Sequence, residues 1–177
     1  MIDYDDHEKI NSLLRDVKHM LAVEELKYRE HPDYMPYKEM IIKKPTMHGT
    51  EFNMAVGAVP TSDGCGSIAC IGGSMYFLDQ GVLGANIDIQ LMKEAGAFVS
   101  GVPGDSRLHE LFYPTIADDL LSDHAVANYM DAYESITPKE AIKAIDNYLN
   151  TEIPTEDIWS HVLDRLNEEL EDRYEDE

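Results

Sequence analysis

The sequence predicts a mainly α-helical protein, a single compact helical domain of about six helices with one short strand pair. Three observations predict it. Apolar residues recur at helical spacing near both ends of the chain: Ile10, Leu13, Leu14, Val17, Met20 and Leu21, then Ile158, Trp159, Val162, Leu163, Leu166 and Leu170. Thr137-Pro-Lys-Glu140 reads as a helix start, with a threonine to cap, a proline at the first helical position and a glutamate to reach back. Hydrophobic residues make up 44% of the 177, enough for a core and too many for a disordered chain.

The elements follow in order. An amphipathic helix is expected from Asp6 to Glu30, ended by His31-Pro32, because the residue before a proline disfavours helical dihedrals. Residues 1–31 hold this helix, 32–64 form a connector, 65–170 a helical core and 171–177 an acidic tail. The connector carries three prolines from Pro32 to Pro45 and one short strand around Met40 to Ile42. Phe52 to Pro60 reads equally as a buried strand or an extended core segment, since so short an apolar run has no decisive period. A helix over about 66–79 follows, stopped by Gln80-Gly81 with the glycine as a left-handed cap. Another runs from Ile87 to Val99. Asp105 or Ser106 caps a short one that ends at Pro114. Asp118 to Tyr133 is helical. Thr137 opens the next helix, and Thr155 opens the last in the same manner.

Charge is the strongest global feature. The chain has 35 acidic and 14 basic residues, a formal net charge of −21. Residues 104–177 hold 20 acids and 5 bases, a net of −15, against −6 for the rest. Such a chain has no direct use for nucleic-acid phosphates or an anionic membrane surface, and is steered toward basic surfaces. No apolar run approaches the roughly 18–20 residues that span a bilayer. The acidic N-terminus is no secretory signal, and two cysteines make no disulfide framework, so a bacterial cytoplasm is the expected setting.

Both cysteines lie in DGCGSIACIGGSMYFL, from Asp63 to Leu78. A cysteine at a helix N-terminus feels free amides and the positive end of the helix dipole, which favour a thiolate. Cys65 is placed there, with His109 or His124 as its base. Against this stand the protein's own negative field and the lack of a local partner histidine. The fragment Cys65-Gly-Ser resembles papain-like peptidases, but Ile68 stands where their nucleophile belongs. Two cysteines are half a zinc site, and His48, His109 and His124 show no ligand spacing, so no metal or other cofactor is expected. A disulfide is disfavoured, because helical residues five apart lie roughly 8 Å from each other and a bridge wants less than about 7 Å. The structural reading is preferred. Gly66, Ala69, Cys70, Gly73 and Ser74 form a stripe of small residues against which another element packs closely, offsetting the cost of Gly72-Gly73 in a helix.

Phe52-Asn-Met54 followed by Cys65-Gly-Ser-x-x-Cys70-x-x-Gly73 resembles a pattern in a group of uncharacterised small phage and bacterial proteins, F-D-M then C-G-T-x-x-C-x-A-G. Leu111-Phe112 and the helix from Thr137 to Tyr148 are similar to later parts of that pattern, so the resemblance spans about residues 50–150. This chain departs from it at Ser67, Gly72 and Ser74-Met75. The resemblance implies a phage-encoded accessory protein and carries over no catalytic residue.

The function expected from these readings is a small acidic, non-enzymatic binding protein that docks on a basic surface of a host protein and modulates it, its carboxylates standing in for phosphates. The residues assigned to docking are Asp118, Asp119, Asp123, Asp164, Glu168, Glu169, Glu171 and Asp172, with Cys65, Gly66, Cys70 and Gly73 as a structural motif. Two alternatives stand beside it. One is an acyl- or thiol-transfer enzyme using Cys65 with His109 or His124. The other is a virion or assembly component whose helical faces form a homo-oligomer.

Overall fold

The computed structural model describes residues 1–30, 50–60, 67–83, 87–116 and 129–175. The first helix, α1, covers His7–Ala22, with the Asp6 carboxylate accepting from the Lys9 amide at 3.1 Å. Its buried stripe is Ile10, Leu14, Val17 and Leu21. The expected continuation to Glu30 does not form. The apolar period stops at Leu21, Glu24 turns the chain at φ 59°, and Lys27–Tyr28 is instead a strand, β1.

That strand introduces the main correction to the expected fold. In place of one strand pair there is a four-stranded mixed sheet, beside seven α-helices among the described residues. Its other members are β2 (Thr50–Phe52), β3 (Ala58–Pro60) and β4 (Ser67–Ala69), in the order β1-β2-β4-β3. β2 pairs in parallel with β1 and β4, and β3 runs antiparallel to β4. Strands of two or three residues are too short to display a period of two, which is why the pattern did not reveal them. Phe52 to Pro60 thus holds the last residue of β2 and the whole of β3. The expected strand at Met40 to Ile42 lies outside the described residues.

The expected helix over 66–79 is also shorter. Its first part is β4, all three of whose residues are buried, and the helix proper is α2, Ile71–Asp79. Gly81 ends it at φ +68°, a conformation that glycine adopts without strain. Then come α3 (Ile89–Ser100), capped by Asp88, α4 (Arg107–Phe112), capped by Ser106, and α5 (Tyr129–Glu134). The sixth helix, α6, is Pro138–Leu149, and its capping box forms in both directions between Thr137 and Glu140. Thr155 opens no such helix. Residues Thr155–Asp157 make one 3₁₀ turn without a side-chain cap, and α7 is Ser160–Glu175.

α1 packs against α6 and α2, and α2 packs against α3 and the sheet. One cluster of buried side chains runs from Ile2 to Leu166. Trp159, buried at 1% exposure, donates its indole N–H to the Glu110 carbonyl at 2.9 Å.

Candidate functional site

The two halves of the F-N-M and cysteine motif meet at the carboxyl ends of β2 and β4. Phe52 and Met54 are buried, and Asn53 between them joins three elements. Its side chain donates to the Arg29 carbonyl at 2.8 Å and accepts from the Ala55 amide at 2.8 Å, while its own amide donates to the Ala69 carbonyl at 3.1 Å. That asparagine turn aims residues 55–57 at the start of α2. There the Cys70 amide donates to the Val56 carbonyl at 2.9 Å.

Cys70, rather than Cys65, caps the motif helix. Its sulfur accepts from the Gly73 amide at 3.5 Å, and its S–H donates to the Gly57 carbonyl at 3.7 Å. Burial pushes the Cys70 thiol up, and the amides of the first turn pull it down by less. At 2% exposure it is a protonated, hydrogen-bonded cap, the state in which a thiol is a poor nucleophile. Gly73 lets this junction close, because a Cβ there would stand 1.9 Å from the Gly57 carbonyl oxygen. A helix does not cover the small-residue stripe at Gly73; the loop backbone between β2 and β3 does. Phe112 and Val99 cover Gly72. Beside the junction lies an apolar cavity of about 300 Å³, lined by Met54, Gly57, Cys70, Phe112, Tyr113 and Tyr133 among others.

Cys65, Gly66, Asp118, Asp119, Asp123 and His124 lie outside the described residues. His109 is apart from Cys70. Its ring lies against Tyr113, with centroids 5.0 Å apart, and it is absent from the cavity wall. Among the described residues no group of three or more His, Cys, Asp or Glu side chains is placed to hold a metal ion, and no helix is long and apolar enough to cross a membrane.

The acidic candidates on α7 divide by direction. Asp164, Glu168, Glu171 and Asp172, and with them Glu175, which was not among the candidates, are exposed and each lies three or four residues from another of the set, so they share one face opposite Val162 and Leu166. Glu169 points elsewhere and accepts from Arg165 at 3.0 Å. Arg165 is turned inward, its guanidinium donating to both Glu140 carboxylate oxygens at 2.7 and 3.1 Å and to the Ser135 hydroxyl at 3.1 Å. Thus Arg165 ties this helix to α6, and none of the five carboxylates has a hydrogen bond or ion pair among the described residues. Sequence reading found four of these five carboxylates but not Glu175 or the roles of Arg165 and Asn53, since contacts across the fold leave no local pattern. In comparison with known proteins, the chain matches no family, no curated protein and no solved structure.

Proposed function

We propose that the protein is a non-enzymatic binding protein whose α7 docks on a basic surface of a host protein and modulates it. The carrying observation is the face of five exposed carboxylates, Asp164 to Glu175, without a hydrogen bond or ion pair among the described residues, which spans about 16 Å of helix axis at 1.5 Å per residue. A row of fixed negative charge at this spacing suits a surface built to hold a phosphate backbone. The pairing of Arg165 with Glu140 supports the reading, because it turns that cation away from the five carboxylates. A phage-encoded accessory protein acting in a bacterial cytoplasm fits the motif resemblance.

The test compares tagged wild-type protein with the variant carrying Asp164→Asn, Glu168→Gln, Glu171→Gln and Asp172→Asn. Each is used to capture partners from bacterial lysate, with elution by rising salt. The expected result is a basic protein held by the wild type, released at moderate salt and lost with the variant. Capture that resists both salt and the substitutions overturns the docking face.

A further inference from the structure

A second cavity, of about 440 Å³, opens between the N-terminal segment, α2 and α3. Its wall holds the rings of Tyr4, Tyr76 and Phe98, together with Gln80 and Glu94. We infer that this cavity is a binding site for an organic cation of the quaternary-ammonium class.

The wall is built for that chemistry. Tyr4 stacks on Phe98 with centroids 5.3 Å apart and planes within 7°, and its hydroxyl donates to the Phe98 carbonyl at 2.6 Å. Tyr76 tilts against Phe98 at 5.9 Å. These contacts bring three rings to one wall of the cavity, and aromatic rings attract cations through their quadrupoles. Glu94 supplies a formal charge. Its oxygens accept from the Tyr76 hydroxyl at 2.9 Å and from the Gln90 amide at 3.0 Å, so neutral donors position it while no cation neutralises it among the described residues. Burial, and then Glu94, push the Tyr76 phenol up to about 12, so it remains a donor across the working range. No Lys or Arg lines the cavity among the described residues; Met1, with its terminal ammonium, is on the wall and makes no ion pair with Glu94. A bulky cation with spread charge leaves water more readily than a bare ammonium, which suits a wall of rings with one carboxylate. The size falls within the range of about 300–1,000 Å³ typical of small-molecule sites. This site is independent of the α7 face.

The test is calorimetric titration of the full chain, at constant ionic strength, with choline and with its uncharged isostere 3,3-dimethylbutan-1-ol. Choline is expected to bind with a Kd on the order of 1 mM, and the isostere at least about tenfold more weakly. Glu94→Gln keeps the shape of the side chain and one of its two acceptors and removes the charge, so it should weaken choline about tenfold. Tyr4→Leu should weaken it about fivefold, while Tyr4→Phe, which keeps the ring, should stay within about twofold. Asp164→Asn, on α7, controls for the general negative field and should leave the Kd unchanged. A capped Nε-trimethyllysine reads the source of the cation: tighter binding than choline indicates a protein side chain, and weaker binding a free small molecule, either order supporting the site. Equal binding of choline and its isostere overturns the inference, as does an Asp164→Asn effect equal to that of Glu94→Gln. Absence of heat for any of the cations up to about 10 mM overturns it too.

Discussion

At Gly73 a Cβ would stand 1.9 Å from the Gly57 carbonyl oxygen, which belongs to backbone already engaged by the Cys70 thiol. Neither partner can rotate away, so Gly73→Ala should cost about 3 kcal/mol in chemical denaturation. Gly81→Ala has open space and only its positive φ to strain, so about 1 kcal/mol is expected there. Equal costs would show that the α2 junction is looser than the geometry requires. His161 supplies a pH-dependent counterpart. Its Nε2 lies 2.8 Å from the Glu140 carbonyl, which can only accept, so Nε2 carries the proton and Nδ1 is buried without a partner among the described residues. Burial pushes this imidazole below its ordinary 6.5, and Lys143 adds to that, while the Glu140 carbonyl and the carboxylates of Glu140 and Asp164 oppose it. The unfolded chain therefore takes up the proton first as pH falls. The contribution is fully present above the unfolded value near 6.5 and drains as pH drops below it. Urea denaturation from about pH 7.5 to 5.5 should show wild type losing stability relative to His161→Gln. Parallel pH profiles would remove His161 from the account.

Arg107 shows how one side chain holds the end of an element. Its guanidinium donates to the carbonyls of Asn147, Tyr148, Asn150 and Ile153 at 2.6–3.1 Å; the first two lie in the last turn of α6, beyond the reach of its intrahelical amides, and Asn150 also accepts from the Ile153 amide at 3.0 Å. It also lies over the Tyr148 ring at 5.6 Å. A lysine carries the charge without the planar fork, so Arg107→Lys should lose about 2 kcal/mol. Loss below about 0.5 kcal/mol would mean that water serves these carbonyls as well. Some elements were legible and others were not, for physical reasons that differ. The starts of α4 and α6 were readable because Ser106 and Thr137 act on amides three residues away, within one stretch of sequence. β4 was unreadable because Ser67-Ile-Ala69 is strand by virtue of β2 and β3 on either side of it, and its small residues fit a helix equally well. Thr155 misled because the same local signature was followed by a single 3₁₀ turn, where its hydroxyl lies 3.5 Å from Arg107.

Across the whole molecule a net charge of −21 repels itself, and salt relieves that repulsion by shortening the screening length from about 30 Å at 0.01 M to about 3 Å at 1 M. Raising sodium chloride from low to high concentration should therefore raise Tm by about 3 °C or more. The docking proposed for α7 should have the opposite dependence and weaken over the same interval. A Tm that falls with salt would mean that surface ion pairs such as Lys18–Asp146, at 2.6 Å, outweigh the general repulsion.

The order of residues alone accounts for the helices with strong apolar stripes, their local caps and the acidic bias of residues 104–177, because each of these acts within a few residues or simply adds along the chain. The four-stranded sheet, the cap formed by Cys70, the pairing of Arg165 with Glu140 and the ring-lined cavity beside Glu94 depend on partners 13 to 94 residues away. Such contacts arise only when the burial of one element supplies the neighbour that another requires. No window along the chain contains both.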